Sequence, residues 1–160
     1  MVDVAHLGWP VALVGELDHR LLKAPRLKLR AVHVSPAGSA VYAVDLRVRK
    51  PNAGAGLSTA VLHSLEHFLL EGFTRLLPAH FLSVGVMGCQ TGFYLGFADE
   101  GRVAVLGDAL ATLLAGVATA TAVPYARVDQ CGNWQNHDLA GAQAVAAEIL
   151  AARPVWLDAA

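Results

Sequence analysis

The stretch VLHSLEHFLLEG, residues 61–72, sets two histidines and a glutamate into one turn of an otherwise apolar helical repeat. At about 100° and about 1.5 Å per residue, His63 and His67 lie about 40° apart around the helix axis and about 6 Å apart along it, so both imidazoles can converge on one ion. Glu66 projects beside that pair. A divalent metal takes neutral imidazole nitrogens, and a catalytic site uses three protein ligands so that a position stays open for water or substrate. Glu66 is then free to move protons. The alternative is a helix whose histidines cap its apolar face beside a core, and the helix alone leaves both readings open.

A third ligand has to come from elsewhere, and the choice is short. Cys131, in DQCGNWQNHD, stands in a loop ahead of a final helix, where Gly132 permits close backbone approach. It is either a thiolate suited to iron(II), zinc or cobalt(II), or a buried free cysteine. His137 and Asp138 read as a loop residue and a helix cap. Cys89 lies in MGCQTGFY between glycines four residues apart, so the chain can turn sharply and present the thiol to a cavity. Near a cationic site such a thiol loses part of its pKa and can exchange protons near neutrality. The other reading of Cys89 is a small apolar filler at a strand end.

The elements that must position these residues follow from period and punctuation. RLKLRAVHV and AVYAVDLRVRK alternate apolar and polar positions on either side of SPAGS, which predicts two half-buried strands in a hairpin. After the breaker-rich PNAGAG, Ser58 is placed to cap a helix in which Val61, Leu62, Leu65, Leu69, Phe73 and Leu76 recur at helical spacing. HFLSVGVM and TGFYLGFA predict two further strands about the Gly88–Cys89 corner. A second helix is expected over 103–121 and a third over 138–152, with Asp138 as its cap. Residues 1–14 and 154–160 read as peripheral to a single domain spanning 1–160.

Composition narrows the class. A chain of 160 residues, 55% of them hydrophobic, holds one domain with a real core. A formal net charge of -1 with dispersed basic residues lacks the footprint of a nucleic-acid binder and points to a small-molecule partner. The uncharged run 109–126 carries three threonines, a glycine and a proline, so it reads as a core helix and not a membrane span. The first residues lack the charged start, apolar core and cleavage site of a secretory signal, which sets the expectation of a cytoplasmic protein with two reduced cysteines.

HSLEH, MGCQTGFY and QCGNWQNHDLAGA, in that order, together with LDH, KAP and DLR followed by PN, resemble the S-ribosylhomocysteine lyase (LuxS) family from Glu16 to Ala142. The resemblance implies an α+β fold, an antiparallel sheet packed by helices in a two-layer sandwich, working as a homodimer with active sites at the subunit interface. It implies that His63, His67 and Cys131 bind one divalent metal per subunit, iron(II) with zinc or cobalt able to substitute. Cys89 and Glu66 fall on the family's acid/base positions, and His19 and Arg47 on residues lining its substrate pocket. The implied reaction cleaves the thioether of S-ribosylhomocysteine by carbonyl migration and β-elimination, giving homocysteine and 4,5-dihydroxy-2,3-pentanedione, the autoinducer-2 precursor.

The sequence departs from the family pattern in places. Val14 and Gly15 replace a serine and an aromatic residue, Arg26 replaces a tyrosine after KAP, and Ser83–Val86 lacks the acid and proline usual before Met-Gly-Cys. These changes leave room for a divergent paralogue with an altered substrate, or for a non-catalytic metal-binding dimer. A third reading, an inverted H-x-x-E-H zinc peptidase, requires a distant glutamate, for which Glu148 has the spacing.

Overall fold

In the computed structural model, which describes residues 2–160, the first alternating run forms β1 (Arg26–Val34) and the second forms β2 (Ala40–Arg47). Their antiparallel pairing is closed by Ser35–Ser39, where the Ser35 N–H donates to the Ser39 carbonyl at 2.8 Å and Gly38 takes a φ of +95°. Glycine adopts that left-handed conformation without a Cβ penalty. The chain then leaves the sheet for α1 (Thr59–Leu76), capped as expected by the Ser58 hydroxyl, which accepts from the Val61 N–H. It returns as β3 (Phe81–Val86) and β4 (Gly92–Ala98), and β4 inserts beside β2 to give the order β1-β2-β4-β3, antiparallel throughout.

Helices α2 (Val103–Ala118) and α3 (Leu139–Ala151) complete the helical layer. Helix α2 ends three residues short of its expected limit because the Thr119 N–H and hydroxyl both turn back to the Gly116 carbonyl. Leu29, Val44, Leu46, Phe93 and Phe97 from the sheet meet Leu65, Leu69, Phe73, Leu110, Leu114 and Ile149 from the helices, all fully buried in one cluster. Each such side chain contributes about 1.5–3 kcal/mol by leaving water. The result is the expected two-layer α+β arrangement.

The opposite face of the hairpin differs from simple alternation. Lys28, Asp45 and Arg47 point away from the helices yet are buried. The cause is the segment before β1, which lies along that face: the Gly15 N–H donates to the Leu29 carbonyl at 3.0 Å, and the Lys28 ammonium donates to the Gly15 carbonyl. Asp45 is paired with Lys28 at 3.5 Å and with Arg30 at 3.1 Å, so the buried charges have partners.

The flanking segments read as peripheral from the sequence also join the core. The Trp9 indole is buried and donates to the Gly101 carbonyl at 2.7 Å, while the buried Trp156 indole donates to the Ile149 carbonyl at 2.8 Å and the Trp156 backbone carbonyl accepts from the Leu27 N–H. A large apolar ring with one polar handle is most stable where both are satisfied, and the core supplies that. Arg26 donates to the Asp158 carbonyl at 2.6 Å, which fastens the C-terminal segment to β1.

Two glycines should respond oppositely to the same change. A Cβ at Gly92 would sit 2.1 Å from the Leu46 carbonyl oxygen, whereas one at Gly116, exposed on α2, meets nothing within 4 Å. Gly92→Ala is expected to destabilise the fold by about 1–3 kcal/mol and Gly116→Ala to stabilise it by about 0.5 kcal/mol. Urea denaturation measures both.

Candidate active site

Helix α1 presents His63 and His67 one turn apart with their rings edge to face, centroids 4.6 Å apart. Two backbone carbonyls of the segment between α2 and α3 fix those rings. The His63 Nδ1–H donates to the Asn136 carbonyl at 3.0 Å, and the His67 Nδ1–H to the Pro124 carbonyl at 2.6 Å. A carbonyl only accepts, so each Nδ1 holds the proton and each Nε2 is left with its lone pair. That is the arrangement by which metal-ligating histidines are oriented.

Cys131 comes from the same segment, its Sγ 3.3 Å from the His63 Nε2. Two ligands of one tetrahedral ion, with sulfur at about 2.3 Å and nitrogen at about 2.1 Å, lie about 3.6 Å apart, close to the observed separation. One ligand atom from each of His63, His67, Cys131 and His137 lies within 4.8 Å of the others. The donor set and its spacing fit a divalent transition metal.

His137 joins this cluster, although its place ahead of the Asp138 cap predicts only a loop residue. Its ring stacks on His63 with centroids 4.1 Å apart, its Nε2 is 3.8 Å from the Cys131 sulfur, and its Nδ1 is 3.3 Å from the Ser64 hydroxyl. The Ser64 hydroxyl donates to the Ala60 carbonyl and accepts from the Asp138 N–H, both at 2.8 Å. With that proton committed, the His137 Nδ1 is the donor to Ser64, and its Nε2 also offers a lone pair to the cluster. Burial, then the neighbouring His63 and His67, push the His137 pKa down to about 4, so its imidazole is neutral at pH 7. Asp138 caps α3 as expected, accepting from the Gly141 N–H at 2.8 Å. The signal that could have found His137 is its place between that fixed cap and Cys131, six residues earlier.

Beside the cluster lies an open cavity of about 320 Å³ in which Leu62, His63 and Glu66 of α1 face Val86, Gly88 and Gln90. The last two flank Cys89. The turn is closed by the Gln90 N–H donating to the Met87 carbonyl at 2.8 Å, and its left-handed residue is Gln90, φ +60°, rather than either glycine of the motif. Gly56 packs against this corner, where a Cβ would come within 2.8 Å of the Gln90 carbonyl oxygen.

Cys89 is exposed at the corner, its sulfur 2.9 Å from the Thr91 hydroxyl and 3.9 Å from the Arg47 guanidinium. Burial raises the thiol pKa, but hydrogen bonds from Thr91 and the charge and hydrogen bond of Arg47 outweigh it and hold the group below its ordinary value. Arg47 and His19 together line a second, smaller cavity of about 90 Å³ with Glu16, Lys28, Asp45 and Tyr94. The expected residues therefore form two groups: His63, His67, Cys131 and Glu66 on the α1 side, and Cys89, Arg47 and His19 across the sheet edge. The 87–90 corner stands between them. Glu148, the third ligand of the peptidase reading, is absent from the cluster and is paired with Arg49 at 2.7 Å.

The sequence model of the family described as S-Ribosylhomocysteinase (LuxS) matches residues 15–159. The chain belongs to the LuxS family. Among its relatives, the S-ribosylhomocysteine lyase of Dichelobacter nodosus is 41% identical over 88% of this chain and 90% of that protein. The protein of the same description from Listeria monocytogenes is 38% identical over 88% and 89%, and that from Thermus thermophilus 42% over 85% and 86%. Against the LuxS pattern, the altered positions scatter. Val86 borders the larger cavity, Ser83 is exposed on β3, and Gly15 takes a φ of +93° beside β1.

Metal analysis after gel filtration separates the two cysteines. Cys131→Ala is expected to lose most of the bound metal, and Cys89→Ala to retain it at the wild-type stoichiometry. Loss in the second variant would mean that the roles of the two thiols are exchanged.

Proposed function

We propose that the chain is a metal-dependent carbon–sulfur lyase that cleaves S-ribosylhomocysteine to homocysteine and 4,5-dihydroxy-2,3-pentanedione. The observation that carries this reading is the oriented His63, His67 and Cys131 donor set beside a cavity bordered by Glu66 and by the Cys89 turn, in a chain whose relatives bear the lyase's name. A divalent cation held by those three residues would supply Lewis-acid polarisation of the substrate's carbonyl oxygen. The mixed thiolate and imidazole set suits iron(II), our proposed native metal, with zinc or cobalt(II) as substitutes.

The remaining chemistry is proton movement, and it needs no redox cofactor. In the opened sugar the carbonyl starts at C1 and must reach C3. Each of the two shifts takes a proton from a hydroxyl-bearing carbon and returns one to the former carbonyl carbon. Cys89 is assigned these carbon-bound protons, because Thr91 and Arg47 favour its thiolate while leaving it exposed. With the ketone at C3, removal of the C4 proton breaks the C5–S bond, and the departing sulfur takes up a proton as homocysteine. Glu66, on the cavity wall beside His63, is assigned the later transfers. His19 and Arg47 are assigned to the substrate pocket.

We also propose a homodimer. What supports it is the outer face of the sheet, where Val41 and Leu82 stay exposed beyond the stretch that the leading segment covers. A reducing, cytoplasmic setting agrees with two free cysteines whose chemistry requires thiols.

Incubation with S-ribosylhomocysteine and a thiol-reactive chromophore tests the reaction. The metallated protein should release one thiol per substrate, and Cys89→Ala should lower turnover by about 10²–10⁴-fold. No thiol from a fully metallated wild-type protein would instead favour a divergent substrate or a non-catalytic dimer.

A further inference from the structure

Thr91 lies in the MGCQTGFY motif and is assigned no proton transfer of its own above. It is buried, and its backbone is clamped to the end of β2: the Val48 and Arg49 N–H groups both donate to the Thr91 carbonyl, at 2.8 and 3.0 Å. Its hydroxyl meets two groups. The Arg47 Nη1 donates to Thr91 Oγ1 at 2.6 Å, and the Cys89 sulfur lies 2.9 Å from the same oxygen. A guanidinium only donates, so it occupies a lone pair of the hydroxyl and leaves the single Thr91 proton for the sulfur.

We infer that Thr91 is the positioning residue of the Cys89 base, relaying the Arg47 charge through its hydroxyl and directing one hydrogen bond onto the thiolate. A hydrogen bond made to the charged form favours that form, and a donor polarised by a cation is stronger than a neutral one. The relay adds to the direct effect of Arg47, whose Nη1 stands 3.9 Å from the sulfur. Arg47, on β2, is the charged group that reaches Cys89 directly. Behind it the smaller cavity carries Glu16 and His19 from the leading segment, Lys28 and Arg30 from β1, and Asp45 from β2. Lys28 and Arg30 are engaged by Asp45, which leaves the Arg47 charge directed at the Thr91 corner. Because the Thr91 backbone is held at both of its acceptor bonds, the hydroxyl sits at a fixed place against a thiol on an exposed turn.

The inference rests on Cys89 acting as the base, and its test is chosen to be independent of turnover. The pH dependence of Cys89 alkylation by iodoacetamide, quantified at that residue by peptide mass spectrometry in the metal-loaded protein, reports its thiolate without substrate. In Thr91→Val, which keeps the shape and removes the hydroxyl, the alkylation midpoint should rise by about one pH unit, and the rate below both midpoints should fall about tenfold. Thr91→Ser should restore the wild-type midpoint. Metal content and the thermal transition of each variant establish that the fold persists. Should Thr91→Val fail to fold, Thr91→Ser and Thr91→Ala provide the same contrast of hydroxyl against none. An unchanged midpoint in a folded variant lacking the hydroxyl, or a shift that Thr91→Ser does not reverse, overturns the relay, whatever the lyase assay gives.

Discussion

Two backbone carbonyls, Pro124 and Asn136, hold the centre of this structure in place by accepting the Nδ1 protons of His67 and His63. Those two bonds do three things together. They fix the rotation of both rings, they leave the Nε2 lone pairs directed into one space, and they dock the segment that carries Cys131 onto α1. Without them the histidines are two polar residues on a helix next to a core. The Ser64 hydroxyl works in the same direction, since by joining Ala60, Asp138 and His137 it ties the start of α3 to the middle of α1. The His/Cys donor group and the packing of α1 against α3 are thus supported by the same contacts.

The sheet supplies the second half of the site through a different constraint. Arg47 ends β2 and Gly92 begins β4 beside it, so the guanidinium, Thr91 and Cys89 are brought together by strand pairing. Gly92 allows that pairing because its backbone runs against the Leu46 carbonyl. The corner after β3 then projects Cys89 outward, with Gly88 and Gln90 toward the α1 cavity. A thiol on a hydrogen-bonded turn and a group of donor atoms gathered on α1 can be placed independently in this way, and the 87–90 corner is where they meet.

Much of this was legible in the residues, for identifiable reasons. The spacing of His63 and His67 gives a common face because helical geometry is local, and Ser58 and Asp138 cap α1 and α3 because capping is local too. The hairpin follows from alternation and the Gly38 turn. What was not legible depends on distant chain. The half-buried reading of β2 misses the burial of Asp45 and Arg47, because the covering segment precedes β1 and carries no periodic signal. Trp9 and Trp156 lie in segments without helical or strand periodicity, yet both fill the core. The place of Cys131 came from family resemblance, since no local rule sets a residue 68 positions from His63 against its ring. His137 carries no signal of its own, because Asp138 beside it accounts for the loop as a cap. The contacts of Thr91 with Arg47 and Cys89 emerge only when β2 and β4 pair.

X-ray absorption spectroscopy of the metal-loaded protein tests most directly whether His63, His67 and Cys131 share one ion. A first shell with a single sulfur at about 2.3 Å among nitrogen or oxygen neighbours at about 2.0–2.2 Å is the expected result, with imidazole scattering beyond it. A shell of oxygen and nitrogen alone would contradict the arrangement, and with it the chemistry assigned to this site.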